Sequence, residues 1–322
     1  LDELKRDAFV GTAAEVAAAH RVPPVQGVAA APSRPAITAD SGIADAVFPS
    51  SGRGPGASQA SPFAATRVNS AKDKADMRLA LVSDIHGNLA ALEAVAADIR
   101  RRGADAVVNL GDNLSGPLLP LETAHFLMAS GWLSLAGNHE RQLLACDPGQ
   151  EENTPDGHAR AQLGQPELDW LRSLRPRHPL TDEILLCHGT PDSDCSYLME
   201  TNHHGVLSLA SGGEIAGRLG GADARVIACG HTHVPRSVRL ATGQLVVNPG
   251  SVGLQAFTDD YTGFHIMETG SPDARYAILE QTASGWLVEQ RCVPYDHGSM
   301  AALAKLRACP DWEVALLYGR AQ

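Results

Sequence analysis

One stretch constrains the fold of this chain more than any other: the apolar run at residues 79–82 leads directly into the polar residues of LALVSDIHGN, 79–88. A short apolar run followed by polar residues and Gly87 indicates a strand that ends in a loop. Side chains alternate along a strand and its extension, so we expect Asp84 and His86 to point the same way. The stretch therefore predicts a carboxylate and an imidazole together at the carboxyl end of a strand, where open α/β sheets bind ligands.

From residue 77 onward, predicted strands alternate with predicted helices. The first three strands are expected at residues 78–83, 106–110 and 132–136. Helices are expected at 88–102, from 120 to about 129, from 139 through 144, at 166–174 and after Ser299. Later strands are expected at 184–187, 225–229 and 244–247, with an antiparallel pair at 275–280 and 286–292. Repeated strand-to-helix succession is typical of an α/β fold with helices covering a largely parallel sheet.

Polar residues that can ligate a metal follow five of these strands. They are Asp84 and His86, then Asp112, then Asn138 and His139, then His188, and finally His231 and His233. Each group alone has an ordinary structural explanation, since an Asn at a strand end can cap the next helix and a lone buried His is often hydrogen-bonded in a core. Five such groups, all at strand ends, favour a shared metal site instead.

Composition excludes several classes of function. The net charge of -11 disfavours general binding to nucleic acid, which needs a basic surface. No apolar run reaches the length needed to span a membrane. The six cysteines form no CxxC pair, which favours buried thiols in a reducing compartment, so we expect a cytoplasmic protein.

Residues 1–76 differ from the rest of the chain. They are rich in Ala, Gly, Pro and Ser and contain no Trp, Tyr or Met. Such a segment buries too little apolar surface to offset its chain entropy, so we expect a disordered, low-complexity extension. The first methionine is Met77, directly before the first strand, so a native start at Met77 is an equally good explanation. We then expect residues 77–322 to form the folded domain that carries these motifs.

The order of these motifs resembles one known family. The segments DIHGN, GDNLSGP, GNHE, HGTPD, GHTH and NPGSVG, between Met77 and roughly Asp296, are similar to the calcineurin-like metallophosphoesterase superfamily, and most similar to its small bacterial and archaeal phosphoesterases. The resemblance implies a four-layer αββα sandwich, with helices outside two central mixed β-sheets. It also implies a dinuclear metal site at one edge of the sheets.

The resemblance assigns roles motif by motif. One metal ion would be held by Asp84, His86 and His233. The second would be held by Asn138, His188 and His231, and Asp112 would bridge the two. His139 would not be a ligand but would lie near the substrate and donate a proton to the leaving oxygen. Imidazole and carboxylate ligands suit manganese, iron, zinc, nickel or cobalt, and affinity alone does not select among them.

These residues predict a phosphatase or phosphodiesterase acting on a small phosphate ester. Two cations about 3.5–4 Å apart can lower the pKa of a shared water and orient the resulting bridging hydroxide for in-line attack at phosphorus. A nuclease is a second possibility, disfavoured by the absence of basic, aromatic-rich stretches. A non-catalytic metal-binding regulatory protein on the same fold is a third. We expect specificity to lie in the connection over residues 192–221, where His203 and His204 are surface residues or substrate contacts; the metal, the ester and the oligomeric state stay open.

Overall fold

The computed structural model describes residues 77–147 and 154–321, so the extension predicted at 1–76 lies outside the described residues. The strands are β1 (Arg78–Val82), β2 (Ala106–Asn109), β3 (Leu133–Ser134), β4 (Arg177–Pro179), β5 (Ile184–Cys187), β6 (Glu200–His203), β7 (Val206–Leu209), β8 (Val226–Ala228), β9 (Arg236–Arg239), β10 (Leu245–Asn248), β11 (Ala256–Asp259), β12 (His265–Glu268), β13 (Ala274–Thr282) and β14 (Gly285–Val293). The helices are α1 (Leu89–Arg102), α2 (Pro120–Ser130), α3 (Asn138–Ala145), α4 (Pro155–Arg160), α5 (Gln165–Ser173), α6 (Gly212–Arg218), α7 (His297–Leu306) and α8 (Pro310–Tyr318).

Two mixed sheets of five strands form the centre of the fold. The first has the order β14-β13-β1-β2-β3, in which β1, β2 and β3 are parallel and β13 and β14 are antiparallel to their neighbours. The second has the order β4-β5-β8-β10-β9, with three parallel strands flanked by antiparallel edge strands. Parallel strands of both sheets therefore end in loops that are available for a site.

The two sheets pack face to face. Leu79 and Leu81 of β1 lie in one buried cluster with Ile184 of β5 and Val226 of β8. The alternate residues of β1, Ala80 and Val82, face helices α1, α2 and α5 on the other side. Helix α6 and the segment before β6 cover the outer face of the second sheet. The predicted four-layer αββα arrangement is confirmed, and burial on both faces explains why the LALV run is continuously apolar.

Helix α1 shows how local sequence fixes one of these layers. The Asn88 side chain accepts a hydrogen bond from Ala91 N and caps the first turn. The helix ends at Gly103, which has the left-handed φ of 67° that glycine adopts without strain. Arg100, Arg101 and Arg102 lie in the last turn, where positive charge is favourable.

Several expected elements differ from the structure. The strand expected at 132–136 is only two residues long, and beyond it Leu135 forms an isolated parallel bridge with Arg175, in which Ala136 N donates to Arg175 O at 2.9 Å. The connection at 192–221 contains α6 in its second half, as expected, but its first half is the β6–β7 hairpin. The β11–β12 hairpin was also not predicted. Of the six thiols, expected to be buried, only those of Cys146, Cys187 and Cys229 are.

In the described part of the chain, every helix is too short or too polar to cross a membrane.

The buried end of α1 provides a test of the packing between α1 and the first sheet. Asp98 accepts hydrogen bonds from Tyr276 Oη (2.6 Å), Arg102 Nε (2.8 Å) and Arg101 Nη2 (2.9 Å). Burial alone would raise the pKa of Asp98, but these hydrogen bonds lower it to about 2. The ionised carboxylate therefore stabilises the fold above the unfolded-state pKa of about 4, and this contribution is lost as the pH falls through about 2.

We expect Asp98→Asn to lower the free energy of unfolding by about 2 kcal/mol at pH 7, and the difference from wild type to shrink toward zero near pH 2. Urea unfolding at both pH values measures this. Asp169→Asn is the control, because the Asp169 side chain is 62% exposed and its partners among the described residues, including Arg172 at 2.8 Å, belong to its own helix. An equal loss of stability in both variants would contradict the role given to Asp98.

Candidate metal centre

The seven side chains predicted to be ligands converge at one edge of the two sheets. They come from the loops after β1, β2, β5 and β8 and from the start of α3. Six of the seven are buried, with exposed fractions of 0–6%, and His231 is partly buried. Buried carboxylates and imidazoles are costly unless each is paired or binds a cation. A site of this composition therefore needs a positively charged partner.

The backbone at these residues is unusual. Of the seven non-glycine residues with positive φ in the described part of the chain, five are predicted ligands: Asp84, His86, Asp112, His231 and His233. This conformation costs an L-residue roughly 1–2 kcal/mol. Strained backbone of this kind is concentrated at functional sites, where the surrounding structure holds it in place.

The positive φ angles correct the geometric basis of one prediction. Strand β1 ends at Val82, so Asp84 and His86 are not on an extended strand, and the alternation argument for their common direction is wrong. Instead, the loop after β1 lies beside the loop after β2: Asp84 N donates to Gly111 O and His86 N to Asp112 O, both at 3.0 Å. The turn, held by these bonds, brings the two side chains to the same site.

The side chains form two groups. In the first, the ligand atoms of Asp84, His86 and His233 all lie within 4.8 Å of one another. In the second, those of Asp112, His188 and His231 lie within the same distance. These are the two sets expected from the sequence, apart from Asn138, whose Oδ1 is 3.2 Å from His188 Nε2 and so borders the second group.

Asp112 lies between the two groups. Its Oδ2 is 3.2 Å from His188 Nε2 in the second group and 4.0 Å from His86 Nε2 in the first. Its Oδ1 accepts a hydrogen bond from His139 N at 3.0 Å. The carboxylate therefore has one oxygen fixed by the backbone of α3 and the other facing both groups.

Hydrogen bonds to backbone carbonyls select the tautomers of the histidines. His86 Nδ1 faces Ser115 O at 2.9 Å, His188 Nδ1 faces Leu110 O at 2.9 Å and His233 Nδ1 faces Leu254 O at 2.6 Å. A carbonyl oxygen only accepts, so these Nδ1 atoms carry the hydrogen. In the neutral rings, each Nε2 then presents a lone pair to the site, as a metal ligand must.

His231 has the opposite orientation. Its Nε2 faces Cys195 O at 3.0 Å, so Nδ1 is the nitrogen left for the site. The carbonyl group of Cys195 thus orients the ring of His231, which lies in the loop after β8.

The closest pair of ring nitrogens fits a cation. His86 Nε2 and His233 Nε2 are 3.2 Å apart, and His233 Nε2 is 3.4 Å from Asp84 Oδ1. In the tautomers selected by the carbonyls, all three atoms are acceptors and no hydrogen lies between them. A divalent cation satisfies all three at once, so the residues present fit the metal that the sequence implies.

Burial and charge set the protonation of the groups. Burial is the main reason that the pKa of His86 falls to about 3 and that of His231 to about 4, which keeps both rings neutral. Burial opposes ionisation of Asp112, but the nearby histidines, His188 first, hold its pKa well below the usual range. Burial also disfavours a charged His188, yet the Asp112 carboxylate raises its pKa to about 10. A metal therefore competes with a proton at His188.

His139, the predicted proton donor, lies beside the two groups and not within them. Its ring is 5.3 Å from that of His86, centroid to centroid, and its Nδ1 is 3.0 Å from Asp156 Oδ1. Burial opposes its protonation, but Asp112 and Asp156 together raise its pKa to about 9. The imidazole is therefore held charged and oriented by a carboxylate from α4.

Glu140, in the first turn of α3, binds backbone N–H groups of two loops. Its carboxylate is buried and accepts from Gly137 N (2.6 Å), Asp112 N (2.9 Å) and Asn113 N (2.7 Å). It therefore fixes the backbone on both sides of the predicted bridging residue.

A cavity of about 520 Å³ opens beside the two groups. Its lining also contains residues that sequence reasoning missed, chiefly Phe257, Tyr261 and Trp312. Phe257 and His233 have ring centroids 4.6 Å apart, and Trp312 and His86 6.0 Å. No motif marks these aromatic residues, and their distance from the ligands along the chain hides the contact.

The connection over residues 192–221 contributes less to the cavity than expected. Only Cys195 of this connection lines it. His203 and His204 are exposed and line a separate depression, outside the cavity beside the two groups. Arg141, near the start of α3, makes two 2.9 Å bonds to Asp194 and thereby holds the beginning of the connection.

Comparisons with known proteins agree with this geometry. A model of the calcineurin-like phosphoesterase superfamily domain matches residues 77–271. A curated relative, an uncharacterised protein of Methanocaldococcus jannaschii, is 39% identical over 66 residues, which are 20% of this chain and 27% of that protein. The chain thus matches about a quarter of the length of this relative.

Two solved structures have a similar fold. A metallophosphoesterase from Sphaerobacter thermophilus has a TM-score of 0.60 at 24% identity, covering 76% of this chain and 100% of that one. A hypothetical protein from Pyrococcus horikoshii has a TM-score of 0.57 at 17% identity, covering 76% of this chain and 98% of that one.

The close packing at Gly137 generates a test of the site. A Cβ atom there would overlap Asp112 Oδ1 and lie 2.8 Å from His188 Nε2. We expect Gly137→Ala to displace both side chains and to lower the amount of transition metal bound per chain, measured by elemental analysis of purified protein. Gly217→Ala is the matched control: nothing lies within 4 Å of its Cβ position, so metal content should match wild type. Wild-type metal content in Gly137→Ala would contradict the proposed ligand arrangement.

Proposed function

The chain belongs to the calcineurin-like phosphoesterase superfamily and is a metallophosphoesterase, and from this premise we propose that it hydrolyses a small phosphate ester at a dinuclear metal centre. One observation carries the proposal. The lone pairs of His86 Nε2 and His233 Nε2 and the Asp84 carboxylate face one another with no hydrogen between them, beside a second group of the same kind.

The two groups support one assignment of ligands. Asp84, His86 and His233 would hold one divalent ion, Asn138, His188 and His231 would hold the other, and Asp112 would be shared between them. Manganese, iron, zinc, nickel and cobalt all suit this donor set. When bound, the ions supply activation of a water and neutralisation of charge for in-line displacement at phosphorus.

His139 and Asp156 act on the leaving group. A charged imidazole beside the metal ligands donates its Nε2 proton to the ester oxygen as the P–O bond breaks, while Asp156 holds Nδ1. In the protein phosphatase branch of the superfamily, a second Asp follows the Gly-Asp motif with an Arg behind it, but Ser115 and Gly116 occupy that neighbourhood here, which disfavours a protein phosphatase. The carboxylate that holds His139 comes from α4, at Asp156.

The cavity favours a small substrate over a polynucleotide. Among the described residues, no Lys or Arg lines it, whereas a nuclease needs a basic groove along the phosphate backbone. A non-catalytic metal-binding role needs no proton donor, yet His139 is present and its Nδ1 is held by Asp156. These features support hydrolysis over both alternatives.

Elemental analysis combined with a two-ester assay tests the proposal. We expect about two transition-metal equivalents per chain and metal-dependent release of p-nitrophenol from mono- or bis-p-nitrophenyl phosphate. Asp112→Asn should abolish turnover, because the bridging carboxylate is lost. Tyr318→Leu, an exposed substitution on α8 outside the cavity, should match wild type.

Preference for one ester identifies a phosphatase or a phosphodiesterase. Absence of metal under every loading condition, or metal-loaded protein without activity on either ester or on a wider phosphate panel, would refute hydrolysis and favour the binding role.

Asp156→Asn tests the orientation of His139. We expect kcat to fall about tenfold or more with little change in KM and with unchanged metal content, because Asp156 acts through His139 and touches no proposed ligand. The loss should be greater for phenyl than for p-nitrophenyl esters, since phenol is the poorer leaving group and depends more on proton donation. Asp192→Asn, which removes an exposed ion pair with Arg177, is the control and should leave kcat unchanged on both esters. Equal losses on both esters would contradict the proton-donor role.

A further inference from the structure

Two chemically different sets of residues line the cavity beside the metal centre. One set is His139 and proposed ligands. The other is Phe257, Tyr261 and Trp312, which we call the aromatic wall. Because Phe257 packs against the ring of His233 and Trp312 approaches that of His86, the aromatic wall begins directly at the metal ligands.

Two members of the aromatic wall, Phe257 and Trp312, are fixed by a packed core, whereas Tyr261 is exposed. Phe257 and Trp312 pack against a buried cluster of Leu254, Ala256, Ala315 and Ala321, which joins α8 to β11. Helix α8 is held at both ends: Lys305 Nζ bonds Glu313 Oε1 at 2.9 Å, and Gly270 N bonds Gly319 O at 2.9 Å. An aromatic surface fixed in this way is preformed, so a planar ligand orders few side chains on binding.

Charge limits what can reach the aromatic wall. Asp259 and Asp311 lie in the cavity lining, where no Lys or Arg accompanies them in the described part of the chain. A second phosphate group on the substrate would meet carboxylates and no cation away from the metal centre. The substrate therefore carries its phosphate at the metals and an uncharged group beyond.

Ser115 offers an additional polar contact. Ser115 is 1% exposed and lines the cavity. Among the described residues, its Oγ has no hydrogen-bond partner. Buried hydroxyls are normally satisfied, so a hydroxyl of this kind is available to a polar atom of a ligand.

Building on the proposed function, we infer that the substrate is an ester of a single phosphoryl group with a planar aromatic leaving portion, whose ring lies on the aromatic wall. The cavity volume of about 520 Å³ is within the range of small-molecule sites and suits an ester the size of a mononucleotide. Aromatic side chains stack on any planar ring, so a nucleoside monophosphate and an arylalkyl phosphate share the required chemistry. Trp312 and Phe257 belong to the recognition of this ring and not to the chemical step.

Two matched ligand pairs test the inference. Adenosine 5′-monophosphate and ribose 5-phosphate have the same ester bond and differ in the ring; benzyl and ethyl phosphate form a pair without a sugar. Each compound is measured as an inhibitor of the nitrophenyl ester that the metal-loaded protein turns over. We expect the aromatic member to inhibit at an about tenfold lower concentration in at least one pair. Adenosine 3′,5′-bisphosphate should inhibit less than the monophosphate.

Substitutions on α8 test whether Trp312 is responsible for the tighter binding of the aromatic ligand. Trp312→Leu should reduce the advantage of the aromatic ligand about tenfold, whereas Trp312→Phe should retain most of it. Tyr318→Leu is the control, because Tyr318 is 58% exposed on the same helix and does not line the cavity. Thermal unfolding of each variant reports whether the fold is intact, and the wild-type ligand pairs decide the question even if Trp312→Leu does not fold.

A binding readout separates this inference from the proposed function. Titration of tryptophan fluorescence with the two adenosine and ribose phosphates measures ring binding without turnover, and the response should be specific to the adenosine compound and absent in Trp312→Leu. If the aromatic member binds more tightly in only one pair, that pair shows whether the ring is a nucleobase or an aryl group. This result supports the inference. Equal affinity within both pairs, equal weakening of both members in Trp312→Leu, or tighter binding of the bisphosphate would overturn it. Lack of ester turnover together with ring-specific fluorescence would refute the proposed function alone.

Discussion

The backbone bonds between the loops after β1 and β2 are the constraint on which the rest of the site depends. Asp84 N, His86 N and Gly87 N donate to the carbonyls of residues 111, 112 and 113, each at 3.0 Å. They hold Asp84, His86 and Asp112 in the left-handed region. At roughly 1–2 kcal/mol for each strained residue, the five strained ligands together cost an amount comparable to the net stability of a domain. Only a well-packed scaffold tolerates that cost, and the apolar layer between the two sheets is that scaffold.

A second set of hydrogen bonds joins the loop after β10, in the second sheet, to the loop after β1, in the first. After β10, Val252 N donates to Ser83 O and Gly253 N to Asp84 O, at 2.9 and 3.0 Å. Ser251 Oγ adds a bond to Asp84 O at 2.7 Å. A Cβ at position 253 would overlap the Ile85 carbonyl, so glycine is required for this close approach. The NPGSVG segment thus contains no proposed ligand but fixes the loop that supplies two of them.

The sequence predicted what depends on local pattern. The central parallel strands and α1 followed from apolar runs and capping residues, and the seven candidate ligand positions were chosen from polar groups at strand ends. The common direction of Asp84 and His86 was predicted from an extended backbone that the chain does not adopt, because the turn conformation depends on hydrogen bonds to another loop. Asp156 and Trp312 were missed for the same reason: each meets its histidine only through tertiary packing, which no spacing rule encodes.

The aromatic wall and the proposed metal centre come from different parts of the chain, but their residues pack against each other near Gly116. Trp312 lies on α8, beyond the residues 77–271 that match the family domain. A Cβ at Gly116, four residues after Asp112, would lie 2.7 Å both from Trp312 Cη2 and from His86 O, so glycine allows the indole to reach the loop that carries the proposed bridging ligand. A larger residue at position 116 would displace the indole, the backbone of His86 or both, so this one position couples the aromatic wall to the proposed metal centre.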